Sequence, residues 1–306
     1  MTASADPVRA QAAPRLRVAF VADTLHGPIG GGVTSAERFV SSLREHHDVT
    51  VIGADPGADE GVRLRGFVLP IRAMQTMAFV MARPDRKAIA RAVAAADVVH
   101  LQFPFWLSFV ALEEARRAGK PVVAAFHVQP ENALFNVGIQ SRTLCNLTYR
   151  LWVDRLYGKA NVVVCPSAFA EQKLRAHGLT APTSVISNGI PPDVLARTRT
   201  SGPRDASSTD RPFVVVSAGR LAREKRQADI IEAVRRCRNA ARVQLVIAGQ
   251  GPEEASLRRL AQRLPRPPEM GFLSRERLLA RIASADLFVH ASEGELEGIS
   301  VLEAIG

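Results

Sequence analysis

The chain has 306 residues, 47% of them hydrophobic, enough to bury a large core and to build two domains. Lys and Arg exceed Asp and Glu by 40 − 30 = 10. That excess fits a phosphate-bearing partner such as a nucleotide, an anionic lipid surface or nucleic acid, and equally fits a basic solvated surface. No apolar run is long enough to span a bilayer, and the opening MTASADPVRAQAAPR lacks the apolar stretch of a signal peptide. Cys145, Cys165 and Cys237 form neither a CxxC nor a Cys/His cluster with zinc spacing. The simplest reading is a reduced, cytoplasmic protein with three buried thiols and a flexible lead-in over residues 1–14.

Short β-branched runs alternate with helical patterns. Leu16–Ala22 reads as a strand, and the segment after Val33 as a helix with Ala36, Phe39, Val40 and Leu43 on one face. Val49–Gly53, Val98–Gln102, Pro121–His127, Asn161–Ser167 and Thr183–Gly189 read as further strands. The helical WLSFVALEEARRAG stands between the second and third of these, and Ser167 sits at a helix N-cap. Apolar strands alternating with helices predict a parallel sheet covered on both faces, here over residues 15–197. The polar segment Thr198–Pro212 reads as a linker. Over residues 213–306 the alternation restarts with FVVVSAG, VQLVIAG, MGFLS and DLFVHAS, and with helices near Gln227–Arg238, Glu253–Leu264 and Arg275–Ala283. Two successive α/β domains predict a ligand cleft between them, at the carboxyl ends of the strands.

Four stretches can carry chemistry. DTLHGPIGGGVTSAE follows the first strand, and Gly30, Gly31 and Gly32 allow close backbone approach of a phosphate or sugar hydroxyl, or simply form a turn. It is not GxGxxG. In AGRLAREKR, Arg220 and Lys225 can clamp a diphosphate, or can be two solvated cations. IAGQGPE places Gly249 and Gly251 at a strand-to-helix turn common to many α/β proteins. In SEGELEGISVLEA, seven residues separate Glu295 from Glu303. Glu295 on a loop can accept from sugar hydroxyls, Glu303 in a helix can take a ribose, and the N–H groups of Ile299, Ser300 and Val301 can receive phosphate. The plain alternative is an acidic loop capping a helix.

Together, Arg220 with Lys225, the GQGPE turn and the Glu-x7-Glu of Glu295 and Glu303 resemble the retaining glycosyltransferases of GT-B fold, family four. The resemblance covers roughly Leu16 to Gly306. It implies two Rossmann-like domains and transfer of a sugar from a nucleotide-diphosphate donor to an acceptor. It implies that Arg220 and Lys225 stabilise the diphosphate, Glu303 holds the ribose and Glu295 contacts the donor sugar. It also implies that the loop at Gly31 and Gly32 lies under the diphosphate, that His127 contacts the sugar, and that no metal cofactor is needed. His100 is similarly placed at a strand end and is a candidate on the acceptor side. Where the family commonly has an aromatic residue, this chain has Glu297 in ELEG. With FHVQPEN upstream, that variant looks most like the branch that glycosylates diacylglycerol and related lipids.

The expected partners are thus a nucleotide sugar, an acceptor lipid or glycoside, and not nucleic acid. Residues 63–91 carry seven Lys/Arg and one acidic residue, interleaved with Phe67, Met74, Met77, Phe79 and Met81. They read either as a peripheral contact with an anionic membrane or as acceptor-side core with a basic solvated face. Family members continue past the last helix, so the second domain is expected to be incomplete and the chain a fragment. The rival functions are a sugar-nucleotide epimerase of the same fold and a non-catalytic nucleotide-sugar-binding module.

Overall fold

The computed structural model describes residues 14–25, 30–55, 61–69, 79–135, 138–190, 194 and 211–306. The linker expected at 198–212 lies almost wholly outside the described residues, as do Met74 and Met77. Seven parallel strands form the first sheet, in the order β3-β2-β1-β6-β7-β8-β9. They are β1 (Arg17–Val21), β2 (Asp48–Gly53), β3 (Gly61–Arg63), β6 (Val98–Leu101), β7 (Val122–Ala125), β8 (Val162–Cys165) and β9 (Thr183–Val185). The short antiparallel pair β4 (Gly66–Phe67) and β5 (Met81–Ala82) stands beside it. Four parallel strands form the second sheet, in the order β12-β11-β10-β13. They are β10 (Phe213–Ala218), β11 (Val243–Ala248), β12 (Glu269–Gly271) and β13 (Leu287–Phe288).

Alternation along β1 shows why both faces are covered. Ala19 and Val21 point into one core with Ile89, Leu101, Leu107 and Ala111. Val18 and Phe20 point into the other with Ala36, Val40 and Phe103, as the two-residue period of a strand requires. The second sheet repeats the scheme. Val215, Leu245 and Ile247 pack on the helices Gln227–Arg236 and Glu254–Ala261, whereas Val216 and Val246 face the helix Arg275–Ala283 through Ile282.

Most strands fall inside the segments read from sequence but are shorter. Three differences matter. The first helix spans Gly30–His46, so Gly30, Gly31 and Gly32 form its first turn and are not a loop before it. The basic segment 63–91 contributes β3, the β4–β5 pair and a helix at Arg86–Ala95 capped by Asp85. Its Phe79 is buried, so that residue is not exposed on a membrane-facing surface. Of the three thiols, Cys145 and Cys165 are buried but Cys237 is exposed; burial pushes the Cys165 thiol up to about 12. No helix among the described residues is long and apolar enough to cross a membrane.

Candidate active site

A cavity of about 340 Å³ lies between the two sheets, within the size range of small-molecule sites. Gly31, Gly32, His127, Arg220, Lys225, Glu295 and Ile299, all singled out from sequence, line it together with Asn132, Asn188 and Glu297. The lining also includes the apolar Leu69, Phe79, Met81, Phe103 and Phe105. Phe79 meets Phe103 and Phe105 edge-on, with ring centroids 6.0 and 5.6 Å apart. The cavity therefore combines charged side chains that come largely from the second unit with aromatic side chains that come from the first.

The cations stand on a tight turn after β10. Residues Arg223–Lys225 form one 3₁₀ turn, and Arg226 follows at φ 51°, in the left-handed region, where a non-glycine residue costs about 1–2 kcal/mol. That reversal separates Lys225 from the helix starting at Gln227. Arg226 is anchored there by Asp229 and by Glu293 at 2.6 Å. Arg220 pairs with buried Glu224, and its carbonyl accepts from Gln227 Nε2 at 2.8 Å. Lys225 pairs with Glu295, whose Oε1 also lies 3.2 Å from His290 Nε2. Burial pushes the Glu295 carboxyl upward, but the His290 hydrogen bond and the Lys225 charge outweigh it and hold it below the ordinary glutamate value.

His127 follows β7 at the strand's carboxyl end. Burial, with the neighbouring His100, pushes its pKa down to about 3, so the imidazole is neutral. Asn132 keeps its Oδ1 without a partner among the described residues. A Cβ added at Gly294 would lie 2.8 Å from that atom, so glycine is what lets the loop before Glu295 come this close. Gly31 faces Ile299 across the cleft, its virtual Cβ 3.5 Å from Ile299 Cδ1.

Four of the residues expected at the site are employed differently. His100 is 6% exposed, stacked on Phe20 at 4.6 Å and bonded to Gln102 at 3.1 Å. It belongs to the core, and burial pushes its pKa down to about 4. Gly251 is a packing glycine: a Cβ there would fall 2.4 Å from Leu221 O. Ser300 turns its hydroxyl to Ala218 O at 3.3 Å. Glu303 is 3% exposed and its Oε1 accepts from Arg38 and Arg275, each at 2.8 Å, so its carboxylate ties a helix of the first unit to one of the second and is not among the residues lining the cavity. Of the three amides read as open in that helix, the N–H of Val301 already donates to Gly298 O at 2.9 Å.

Sequence reading missed Ser35, Arg38, Asn132, Asn188, Glu224 and His290. Asn188 and His290 follow strands, a position that carries signal; Arg38 and Ser35 lie on a helix face, where nothing local marks them.

Residues 29–194 match Glycosyltransferase Family 4, and residues 200–306 match glycosyl transferases group 1. A GDP-mannose-dependent alpha-mannosyltransferase of Mycolicibacterium smegmatis is 30% identical over 308 residues, covering 95% of this chain and 77% of that protein. An alpha-monoglucosyldiacylglycerol synthase of Streptococcus pneumoniae is 22% identical, over 95% of this chain and 69% of that one. Among solved structures, Anabaena HepE in complex with UDP and glucose superposes with a TM-score of 0.66 at 18% identity, over 95% of this chain and 78% of that one. The fold is GT-B, with two Rossmann-like α/β units. Fold, family match and relatives agree: the chain is a glycosyltransferase and belongs to Glycosyltransferase Family 4.

Proposed function

We propose that this glycosyltransferase moves a hexosyl group from a nucleoside-diphosphate sugar to an acceptor with retention of anomeric configuration, and that the cleft between the sheets holds both substrates. The observation that carries the reading is the meeting of Arg220, Lys225, Glu295 and His127 in one cavity that aromatic side chains also line.

In this reading the acceptor oxygen bonds to the sugar C1 while the C1–oxygen bond to the β-phosphate breaks. The departing diphosphate takes the electron pair and the acceptor's proton. Arg220 and Lys225 stabilise the charge that develops there. The first-turn amides at Gly31 and Gly32, in a helix of 17 residues, have no intrahelical partner and add to that stabilisation. A neutral His127 bonds a sugar hydroxyl without setting a cation beside an oxocarbenium-like ring. Asn132 Oδ1 accepts from another hydroxyl. Arg38 and Arg275 both donate to Glu303 Oε1, which leaves Oε2 to accept from a ribose hydroxyl.

Same-face attack is favoured over double displacement, because the two carboxylates lining the cavity are each tied through one oxygen and neither is marked as a positioned nucleophile. Glu295 is held by Lys225 and His290, and Glu297 by Asn188.

The aromatic lining of the cavity, Phe79, Phe103 and Phe105, supports an acceptor with an apolar portion, a lipid or an alkyl or aryl glycoside. The name of the pneumococcal relative points the same way. A cytoplasmic site with peripheral contact to an anionic membrane is part of the proposal. Because Phe79 and Met81 face the cavity, such contact falls to Arg63, Arg65, Arg83, Arg86 and Lys87, which line one basic surface groove. Charge neutralisation is assigned to side chains and not to a metal, so chelation by EDTA should leave turnover unchanged.

The test is product analysis after incubation with UDP-glucose or GDP-mannose and octyl glucoside. An α-linked glycosylated octyl glucoside, identified by the anomeric proton coupling, supports the reading. A β-linked product contradicts retention, an epimerised sugar indicates an epimerase, and nucleotide binding without turnover indicates a binding module.

A further inference from the structure

Arg38 stands on the helix Gly30–His46 of the first unit, and the donor motif of the second gives it no task. It reaches Glu303 all the same, 265 positions further along the chain. Its Nη1 donates to Gly189 O at 3.0 Å and its Nη2 to Glu303 Oε1 at 2.8 Å. From the second unit, Arg275 Nη1 donates to that same oxygen, also at 2.8 Å. The Arg38 side chain is 17% exposed against 46% for Arg275, and that of Glu303 is 4% exposed.

We infer that Arg38 is a positioning residue for Glu303, so that the first unit helps to hold the ribose of the bound nucleotide. The argument is one of lone pairs. An ionised carboxylate offers about four acceptor sites, two on each oxygen. The two guanidinium N–H groups take both sites on Oε1, and Oε2 keeps its own for the 2′- and 3′-hydroxyls of a ribose. Acceptor sites of an sp² oxygen lie near the plane of its group. Donors arriving at Oε1 from two different helices therefore fix the carboxylate plane, and with it the direction in which Oε2 presents its lone pairs. The terminal torsion of a glutamate is broad and sets no such plane by itself. Arg275 alone supplies one direction and is open to water. Arg38 is screened from water, where a charged hydrogen bond is stronger, and its bond to Gly189 O holds the guanidinium in place within the first unit. An apolar side chain at 38 leaves Glu303 one donor, and the carboxylate is then free to turn.

The inference rests on the reading of Glu303 as the ribose contact and goes beyond it, because it assigns recognition of the nucleoside to both units.

Calorimetric titration of the full chain with UDP, GDP and their 2′,3′-dideoxy counterparts tests it without turnover. The pair read is that of the base which the wild type binds more tightly, and the quantity read is the preference for the ribose form. In Arg38→Met, which keeps the alkyl stem, that preference should fall by about tenfold, the scale of one hydrogen bond to a charged group. Affinity for the dideoxy form should stay unchanged. Arg38→Lys keeps a cationic donor and should retain most of the preference. If the melting curve shows Arg38→Met unfolded, Arg38→Gln replaces it, with a fall in the same direction. A preference that Glu303→Ala abolishes and Arg38→Met leaves intact overturns the inference while the ribose reading stands. An equal loss of affinity for both forms in Arg38→Met marks a tie that only holds the units together, and overturns it too. A wild type that binds neither ribonucleotide, or shows no preference, contradicts the ribose reading, and the inference falls with it.

Discussion

Asp23 sits at the carboxyl end of β1, fully buried, with Oδ1 accepting from Ala82 N at 3.0 Å. Its Oδ2 has no partner among the described residues. Burial pushes its pKa up to about 7, the bond from Ala82 opposing. The folded state therefore keeps a proton that the unfolded chain releases. Stability from this group is present at low pH and falls as pH rises from about 4 to about 7. Asn at this position keeps an acceptor for Ala82 and carries no charge. Asp23→Asn should flatten the dependence of Tm on pH between about 4 and 7 and raise Tm at and above the upper end. An unchanged slope contradicts a protonated Asp23. The consequence reaches the site, because Ala82 belongs to β5 and its neighbour Met81 lines the cavity.

At the scale of elements, the glycine turns of the second unit are tools of packing. Gly249 has φ 155°, and a Cβ on it would lie 1.9 Å from Gly219 O. Gly251 approaches Leu221 as closely as any ligand would approach a binding glycine. Gly251→Ala should therefore lower stability by about 1–3 kcal/mol through overpacking, read from the denaturation midpoint. UDP or GDP affinity of the folded fraction should stay unchanged. Lost nucleotide affinity with unchanged stability would return Gly251 to the donor site.

That pair of glycines shows what sequence could and could not reveal. Strand, glycine, helix was legible from residues 243–261, because periodicity and φ freedom are local. The backbone standing behind each glycine was not, because Gly219 and Leu221 are some thirty residues earlier. His100 makes the same point. Its position at a strand end was readable, but its burial depends on stacking with Phe20 across the β1–β6 pairing. The first turn of the helix Gly30–His46 was hidden for another reason: three glycines have poor helix propensity, so nothing local marks it as helical.

On the scale of the whole molecule, the halves are joined by polar ties. Arg38 donates to Glu303 at 2.8 Å and to Gly189 O at 3.0 Å. Ser167 Oγ donates to Leu296 O at 2.5 Å and caps its own helix by accepting from Ala170 N at 3.1 Å. Glu297 meets Asn188. Alternation of strands and helices made two units and a cleft foreseeable, and the cations and carboxylates of the cavity were marked by their motifs. Which side chains of the first half would meet them was not foreseeable, since Ser35, Arg38 and Asn188 pair over separations of more than a hundred residues. These ties are hydrogen bonds and ion pairs, and beside them Leu296 of the second unit packs against the core of the first.

The central claim is that a nucleoside diphosphate leaves from between Arg220 and Lys225 in that closed cleft, and Lys225→Ala tests it most directly. Its turnover of UDP-glucose or GDP-mannose, whichever the wild type uses, should be measured beside wild type in samples matched by melting curve. The account predicts that kcat falls by about 10²–10³-fold, the scale of losing one preorganised electrostatic contact to a developing charge. Wild-type kcat in the folded variant would contradict it.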